Sequence, residues 1–600
     1  MTSSVPVDAG MGMTPVYFGS PERPLFGAFH RPAGRWSGTR VVLCAPLGYE
    51  GPFAHLALRE LAYSLTNAGA AVLRFDYYGY GDSAGSDEHL GQVTSWLSSV
   101  HDAIDEIKRL TPSTGPLVLV GLRAGALLAS AVASTREDVT ALALWAPSLS
   151  GKLFLREQRA FSSMAHVTTA RRGMAEGQWG TRGFEANGYV FTDDTIAELT
   201  KLDVKSMDLP GVTDILLLDR EEAPVRDAFP DAWRRPGVAV QTESIPGYAE
   251  FMEPPWLAVS PDSAIQKIAS WAQRLTHQSV PPVPVEAKRG LSSAVVQPNV
   301  TETPIWLDDH GQHFGILTEP ANGPASHAII LITSTFGYRI GPNRMNVAAA
   351  RRFAAMGIAT LRFDLSDTGD SRAQDFARAK IPYDLSAIED VKRASRFLTR
   401  RGYHGIALGG VCAGAFMAWY TGLMTDEISQ LVLVNPETFR PIRYELRDHQ
   451  KMLQGMSGWR EVLRRERNPL RLARAAVARV RTVSKIGWEH VAARLPFALV
   501  PSSLAARINT VGTRGTKLSI IYSSDDLGIE EFHRQLGPNL RRHEQRGYLR
   551  MSYIEGADHS FTPRWATQAL IDRMAQELTP WLQTPSTYTG VRTPAAPMQD

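Results

Sequence analysis

The apolar residues of this chain fall in short runs that alternate with longer stretches of helical periodicity. In the first half, apolar runs at 40–46, 70–75 and 117–121 accompany an amphipathic stretch at 92–110. Short apolar runs are typical of parallel strands buried on both faces, and a period of 3.6 residues is typical of helices. The alternation therefore predicts an α/β fold in which helices cover a mostly parallel sheet on both sides.

The same succession of elements occurs a second time. Four short motifs of the first half recur 288 or 289 positions later in the same order, which indicates an internal repeat. The motif pairs are Leu-Arg-Phe-Asp at 73–76 and 361–364, Gly-Asp-Ser at 81–83 and 369–371, Phe-Gly at 26–27 and 314–315, and Gly-x-x-Ala-Gly at 121–125 and 410–414. A chain of 600 residues exceeds one hydrophobic core, so we expect two tandem domains of the same fold.

Breaks in this pattern predict the domain boundaries. A Pro-rich stretch separates the halves and a Pro- and Thr-rich stretch ends the chain, as expected for a linker and a disordered tail. Within each half, one segment interrupts the strand–helix rhythm and is predicted to be a cap over the carboxyl edge of the sheet. The predicted units are a first domain at 1–276 with a cap at about 150–209, a linker at 277–300, a second domain at 301–583 with a helical cap at about 437–516, and a tail at 584–600.

The composition of the chain excludes several functional classes of protein. Hydrophobic residues make up 44% of the chain and charged residues 21%, and the net charge of +3 argues against wholesale nucleic-acid binding. The two cysteines, Cys44 and Cys412, exclude a disulfide framework and a cysteine-rich zinc site. Residues 1–13 do not form a signal-peptide pattern, and no stretch reaches about 18 uninterrupted apolar residues. We therefore expect a cytoplasmic protein without a membrane span.

The strongest candidate for chemistry is Cys412. It follows the apolar run 405–409 and precedes an apolar helical stretch, within Gly410-Val411-Cys412-Ala413-Gly414. A Gly-x-nucleophile-x-Gly turn between a strand and a helix is a nucleophile elbow, whose glycines let strand and helix approach each other. The thiol would lie at a helix N-terminus, where the macrodipole favours the thiolate. Because a cysteine is often only a small buried apolar residue, its partners decide the interpretation.

Two partners follow Cys412 in the order that a nucleophile elbow requires. An acid comes after the next strand but one, and His559 comes after the last predicted strand. His559 is predicted to take the thiol proton, and the acid is predicted to fix the imidazole tautomer. Asp526 is the preferred acid and Asp525 is the alternative.

Backbone amides are predicted to complete this site. The N–H of Ala413 lies directly after the nucleophile, and the loop after the first strand of the second half supplies Thr335 or Phe336. N–H groups at these two places would stabilise the oxyanion of a tetrahedral intermediate.

The first half lacks this set of residues. Its elbow carries Arg123 in place of a nucleophile, and Glu250 lies near where the second half has His559. Arginine stays protonated, so we expect a non-catalytic partner domain. Two roles for Arg123 remain open: it binds a carboxylate or phosphate, or it forms a structural salt bridge with a neighbour such as Glu250.

These motifs resemble those of the α/β-hydrolase superfamily, in particular the serine aminopeptidase-like hydrolases and the paired exosortase A system-associated hydrolases. The first half is similar to the second type of that pair, through Gly51-Pro52-Phe53-Ala54 and residues 121–126. The second half is similar to the first type, through residues 338–344, Val411-Cys412, Asp526-Leu527 and residues 558–561. The resemblance implies two tandem α/β-hydrolase domains. The chain departs from the family in being a fusion, and its inserts match poorly, which leaves the substrate open.

A cysteine nucleophile favours thioester chemistry. The acyl-enzyme that it forms is a thioester. Transfer of an acyl group to it from coenzyme A or a carrier protein is therefore nearly thermoneutral, and onward transfer to an amine or hydroxyl lowers the free energy. We expect an acyltransferase or thioesterase that uses no cofactor or metal, with an acyl group on coenzyme A or an acyl-carrier protein as substrate. An esterase or peptidase-like hydrolase and a non-catalytic scaffold of two hydrolase-like domains are the alternatives.

The second insert is rich in arginine, which would suit an acidic carrier protein or coenzyme A phosphates. A solvated helix face explains the same residues and is the preferred interpretation. The arginines are Arg460, Arg464, Arg465, Arg467, Arg471, Arg474, Arg479 and Arg481.

Overall fold

The computed structural model describes residues 12–32, 36–111, 113–169, 183–221, 224, 229, 231–253, 258–275, 293–333, 337–372, 383, 385–440, 503–537 and 539–583. Within these ranges, two large sheets flanked by helices and one small hairpin form the secondary structure. The α/β fold class expected from the alternating pattern is confirmed, as are two tandem domains.

The first domain is built on one large sheet. Its strands are β1 (Met13–Phe18), β2 (Leu25–His30), β3 (Arg40–Cys44), β4 (Ala71–Phe75), β5 (Leu117–Leu122), β6 (Ala141–Trp145), β9 (Asp214–Arg220) and β10 (Ala239–Ile245), and the separate hairpin is β7 (Gly183–Ala186) and β8 (Tyr189–Thr192). The order is β1-β2-β4-β3-β5-β6-β9-β10. The pairings from β4 to β10 are parallel, while β1 and β2 form an antiparallel edge.

Helices cover both faces of this sheet. They are α1 (Glu50–Asn67), α2 (Gln92–Leu110), α3 (Ala124–Ala133), α4 (Gly151–Thr169), α5 (Asp193–Thr200), α6 (Tyr248–Phe251) and α7 (Asp262–Arg274), with short 3₁₀ turns at Val204–Ser206 and Asp231–Trp233. The predicted cap at 150–209 contains α4 and α5 and also the hairpin β7–β8, so its described part is not purely helical.

The second domain repeats this plan. Its strands are β11 (Ala294–Gln297), β12 (Val300–Trp306), β13 (Phe314–Pro320), β14 (His327–Ile332), β15 (Ala359–Phe363), β16 (Gly405–Val411), β17 (Ile428–Val434), β18 (Lys517–Ser523) and β19 (Leu549–Ile554). They pair in the order β11-β12-β13-β15-β14-β16-β17-β18-β19, with parallel pairing from β15 onward. The helices are α8 (Met345–Ala355), α9 (Ala387–Arg400), α10 (Ala413–Met424), α11 (Leu504–Thr513), α12 (Gly528–Leu536), α13 (Asn539–Gln545) and α14 (Arg564–Leu582), with a 3₁₀ turn at Pro342–Arg344.

The predicted linker is too long at its C-terminal end. Residues 294–297, which were expected to be linker, form β11 and pair antiparallel with β12. The second sheet therefore begins inside the span predicted as linker, because a four-residue edge strand is too short to give a clear periodic signal. Residues 276–292, the segment 441–502 with the arginines of the second insert, and the predicted tail at 584–600 lie outside the described residues.

Alternation along the central strands supplies the cores. In β3, Val41 packs into one apolar cluster and Val42 into another, on opposite faces of the sheet. In β14, Ile329 and Ile330 divide in the same way. Each fully buried aliphatic side chain contributes about 1.5–3 kcal/mol, so both faces of each sheet stabilise its domain. No helix in the described part of the chain has the length and apolarity needed to cross a bilayer.

The domains pack through reciprocal buried ion pairs. Arg74 of the first domain contacts Asp370 of the second at 2.5 Å. Their repeat equivalents, Arg362 and Asp82, contact each other in the opposite direction. When two residues from opposite halves contact each other and their repeat equivalents do so as well, the interface is isologous and has two-fold symmetry. The halves therefore pair as two copies in a homodimer would.

Candidate active site

The elbow of the second domain holds Cys412 in a strained backbone. Cys412 lies between β16 and α10 with φ 56° and ψ −115°. A Cβ atom on Gly410 would lie 2.4 Å from the carbonyl carbon of Gly414, so only glycine permits this approach of strand and helix. A side chain other than glycine in this region of φ and ψ is strained, and such strain is typical of functional sites. The backbone thus fixes the direction of the thiol.

His559 and Asp526 form a hydrogen-bonded pair. Asp526 follows β18 and accepts a hydrogen bond from His559 Nδ1 at 2.5 Å. The carboxylate is held by a second hydrogen bond, from the Gly528 N–H at 2.8 Å. Of the two acids considered from the sequence, Asp526 supplies this contact, while Asp525 precedes it in the same turn. Nε2 of the imidazole has no hydrogen-bond partner among the described residues.

The loop that carries His559 is anchored to the end of β17. Asn435 donates a hydrogen bond from Nδ2 to the carbonyl of His559 at 2.7 Å, and another to Ser523 Oγ at 3.1 Å. Asn435 has φ 42°, a left-handed conformation that asparagine tolerates better than most residues. These contacts hold the histidine loop against the neighbouring strand ends.

Cys412 and His559 lie together at the carboxyl edge of the sheet. The Cys412 Sγ, a nitrogen of His559 and a carboxylate oxygen of Glu437 all lie within 4.8 Å of one another. Burial disfavours the imidazolium, but the hydrogen bond of His559 to Asp526 and the proximity of Cys412 outweigh burial and raise the pKa of His559 to about 10. The geometry therefore favours a charged imidazolium beside the sulfur.

Two residues of this site were not found from the sequence. Glu437 Oε1 lies 3.8 Å from His559 Nε2, and Tyr383 donates a hydrogen bond to Glu437 Oε2 at 2.8 Å. The Tyr383 hydroxyl also lies 3.4 Å from Cys412 Sγ. The position of Glu437 directly after β17 was a signal, since strand ends line this edge, whereas nothing in the pattern around Tyr383 indicated its position.

The predicted oxyanion hole is only partly described. Ala413 is the first residue of α10, so its backbone N–H belongs to the first turn, whose donors have no intrahelical acceptor. Thr335 and Phe336 lie outside the described residues. Ala413 can therefore be placed beside the nucleophile, and the second donor stays a prediction.

A metal ion is chemically possible at this site although none was predicted. Thiolate, imidazole and carboxylate are all zinc ligands, and Cys412, Glu437 and His559 supply one of each. Within the described ranges they form the one group of three such side chains that is close enough to share an ion.

The elbow of the first domain has the same backbone but a different side chain. Arg123 has φ 55° and ψ −120°, nearly the values of Cys412. Its guanidinium is buried and forms ion pairs with Glu50, at 3.1 Å, and with Glu157. Of the two roles considered, the salt bridge is the one observed. The suggested partner, Glu250, was wrong, since Glu250 is exposed and the partners are Glu50 and Glu157.

One family model and several solved structures are similar to parts of this chain. Residues 55–181 match the family model described as serine aminopeptidase, S33. No curated protein matches the chain. Est1E from Butyrivibrio proteoclasticus, solved with ferulic acid bound, is 16% identical, with 43% of this chain and 96% of that chain covered and a TM-score of 0.29. Proline iminopeptidase from Mycobacterium smegmatis is 14% identical, with 44% and 99% covered and a TM-score of 0.31.

Proposed function

We propose that the second domain is an acyl-enzyme catalyst of the α/β-hydrolase type with a cysteine nucleophile, a proposal supported by the match of residues 55–181 to a serine aminopeptidase model and by the α/β fold that both domains share. Cys412 is the nucleophile, His559 the base and Asp526 the residue that orients the base. The substrate is an acyl group carried as a thioester on coenzyme A or on an acyl-carrier protein. The reaction is transfer of that acyl group to an acceptor, or its hydrolysis.

One observation supports the proposal: a nitrogen of His559 lies within 4.8 Å of Cys412 Sγ, and Nδ1 of the same ring donates a hydrogen bond to the Asp526 carboxylate. In this arrangement the acid selects the tautomer that can take the thiol proton. A cysteine paired with an imidazolium is far more nucleophilic at neutral pH than an isolated thiol.

The first half-reaction loads the enzyme. His559 Nε2 takes the proton of the Cys412 thiol, and the thiolate attacks the acyl carbonyl to form a tetrahedral intermediate. The Ala413 N–H is placed to stabilise the oxyanion. When the intermediate collapses, the carbon–sulfur bond to the carrier breaks, and His559 returns its proton to the departing thiolate. The product is an acyl thioester on Cys412 and a free carrier thiol.

The second half-reaction releases the acyl group from Cys412. An amine, a hydroxyl or water attacks the Cys412 thioester while His559 accepts the proton, and Cys412 leaves as a thiolate. The carboxylate of Glu437 lies beside this nitrogen and next to the sulfur. A carboxylate at this place would attract a protonated amine and accept its extra proton, and the neutral amine then attacks while His559 accepts the second proton, so we favour an amine acceptor over water.

The first domain serves the second as a partner. Its elbow position is filled by the buried Arg123 and the acids that pair with it, so no nucleophile is available there. Its match to the serine aminopeptidase model reports shared ancestry and not a retained serine site, because arginine occupies the nucleophile position.

The test is intact-mass spectrometry of the full chain after incubation with a panel of acyl-coenzyme A thioesters. The wild type should gain the mass of one acyl group, and Cys412→Ala should gain none. Cys44→Ala is the matched control, since Cys44 is the other cysteine of the chain and lies buried in β3, where burial raises the pKa of its thiol to about 12. It should be acylated like the wild type.

The reaction products distinguish a thioesterase from an acyltransferase. Free acid released without an acceptor identifies a thioesterase, and an amide formed with a panel of amines identifies a transferase. Absence of any adduct and of any turnover with every thioester would overturn the proposal and favour a scaffold. An adduct that persists in Cys412→Ala would overturn the assignment of the nucleophile.

A further inference from the structure

The side chains around Cys412 can also serve as ligands of a metal ion. Cys412 Sγ, a nitrogen of His559 and a carboxylate oxygen of Glu437 lie within 4.8 Å of one another. Nδ1 of His559 is bonded to Asp526, so Nε2 is the nitrogen that is left for a metal, and it lies 3.8 Å from Glu437 Oε1. The residues follow three different strands, β16, β17 and β19, and their donor atoms surround one small space.

The spacing of these donors is close to that of a tetrahedral zinc site. Zinc bonds to sulfur, nitrogen and oxygen are about 2.0–2.3 Å long, so two ligand atoms of such a site lie roughly 3.3–3.6 Å apart. The 3.8 Å between His559 Nε2 and Glu437 Oε1 is only slightly longer. These two side chains are 36% and 30% exposed, which gives an ion a path from solvent and lets the side chains adjust around it.

Two hydrogen bonds hold these donors in place from outside the triangle that they form. Asp526 accepts from His559 Nδ1 at 2.5 Å, which is the contact that fixes the ring of many zinc-bound histidines. Tyr383 donates to Glu437 Oε2 at 2.8 Å and so orients the second carboxylate. Outer contacts of this kind typically change metal affinity by about 10–100-fold, so the three donors are supported as ligands in a metal site are.

The charge and the donor types favour one class of ion. As ligands, Cys412 is a thiolate, Glu437 a carboxylate and His559 a neutral imidazole, so together they carry two negative charges. A divalent cation balances these charges, and the proton that the thiol and the imidazole share leaves when the ion binds. Sulfur and nitrogen donors suit Zn²⁺, whereas Mg²⁺ and Ca²⁺ prefer oxygen ligands.

We propose that Cys412, His559 and Glu437 bind one Zn²⁺ ion, with water as the fourth ligand, and that this ion blocks acylation. In the bound state the sulfur is bonded to the metal and Nε2 is occupied, so the thiolate cannot attack and the imidazole cannot accept a proton. The ion is then a reversible inhibitor and not a cofactor. Zinc binding is independent of the reaction, while the inhibition rests on the proposed function.

Zinc titration of the full chain tests the site. The protein is dialysed against a chelator and titrated with ZnCl₂ in competition with a colorimetric zinc indicator. The wild type should bind one equivalent that Cys412→Ser does not bind. Glu437→Gln should weaken this binding by at least about tenfold, because it removes a ligand, and Asp526→Asn should weaken it by about 10–100-fold, because it releases the imidazole. Glu530→Gln, at an exposed position of α12, is the control and should bind like the wild type.

Cobalt identifies which thiol is the ligand. Co²⁺ occupies zinc sites, and it shows a charge-transfer absorption in the near ultraviolet when it is bound to a thiolate. We expect this absorption in the wild type and in Cys44→Ala, and we expect its loss in Cys412→Ser. Cys44 is the other cysteine of the chain and lies buried in β3, so Cys44→Ala is the matched control.

The rate of adduct formation tests the inhibition. Saturating Zn²⁺ should slow acylation of Cys412 by at least about tenfold, which corresponds to an occupied site, and excess chelator should restore the rate. Glu437→Gln should need more Zn²⁺ for the same inhibition. Mg²⁺ at the same concentration should leave the rate unchanged, because the donor set does not suit it.

Three results would count against the proposal. Equal zinc binding by the wild type and Cys412→Ser, or a cobalt–thiolate absorption that persists in Cys412→Ser, would overturn the site. Bound zinc that leaves the acylation rate unchanged would overturn the inhibition. A chain that binds zinc as expected but forms no adduct even without metal would support the site and would instead contradict the proposed function.

Discussion

Phe26 and Phe314, which stand 288 positions apart, pack against each other with their ring centroids 6.1 Å apart. A residue that touches its own repeat equivalent lies on the two-fold axis of an interface. The reciprocal pairs Arg74–Asp370 and Arg362–Asp82 lie on either side of that axis. The two domains therefore meet as equivalent partners, although only the second carries a cysteine at its elbow.

The buried pairs at this axis predict a large loss of stability when one partner is removed. Asp82 is fully buried and contacts both Arg339 and Arg362. We expect Asp82→Asn to lower the free energy of unfolding by about 3–5 kcal/mol, because it leaves buried guanidinium groups uncompensated. Urea unfolding followed by circular dichroism measures this loss. Asp231→Asn, from the exposed pair with Arg234, should change stability by less than about 1 kcal/mol. Equal effects of the two variants would contradict the prediction.

The contact between Asp526 and His559 predicts which acid supports acylation. Asp526→Asn should slow acylation of Cys412 by about 10²–10⁴-fold, because the amide no longer holds the imidazole in the reactive tautomer. Asp525→Asn, one position earlier in the same turn, should slow it by no more than a few-fold. A time course of adduct formation by mass spectrometry gives both rates. A larger loss in Asp525→Asn would show that the other acid acts.

The environment of His559 predicts a pH-dependent contribution to stability. Its pKa is raised to about 10, against an ordinary value near 6.5. A raised pKa in the folded state stabilises the fold fully below about pH 6.5, and this contribution is lost as the pH rises through about 10. The stability difference between wild type and His559→Gln should therefore shrink from pH 6 to pH 10, by about 1 kcal/mol, since 36% of the side chain is exposed and solvent screens its interactions. Urea unfolding at several pH values measures it, and a constant difference would contradict it.

The elbow of the first domain predicts a structural role that can be separated from catalysis. Arg123→Met should destabilise the protein by about 3–5 kcal/mol, because Glu50 stays buried without its partner. Adding Glu50→Gln should recover much of that loss. Neither variant should change the acylation rate of Cys412 at a temperature where both are folded. Loss of acylation in a folded Arg123→Met would instead place Arg123 in the catalytic function.

The sequence was informative where local pattern decides structure. The apolar run at 117–121 was predicted as a strand, and β5 extends it by one residue, because a continuous apolar run between polar turns has few alternatives. The antiparallel edges at β1 and β11 were not predicted. Edge strands bury one face at most, so their apolar signal is weak, and pairing with a distant neighbour determines them.

The candidate site likewise contains residues that the local sequence pattern predicts and residues that only tertiary contacts bring together. The order of Cys412, Asp526 and His559 could be predicted because each follows a recognisable strand. Glu437 was missed although it follows β17 closely, and Tyr383 contacts the same centre through tertiary placement alone. The ion pairs at the domain axis could not be predicted from the sequence either. Asp82 was recognised as part of a repeated motif, but only the folded interface shows that its partners come from the other repeat.

The fusion of two equivalent halves changes which substitutions are tolerated. In a homodimer, an arginine at the elbow would appear in both copies at once and remove every nucleophile. In one continuous chain, Arg123 alters one elbow and leaves Cys412 untouched. Covalent joining thus let each copy follow its own path of divergence while the shared axis continued to hold them together.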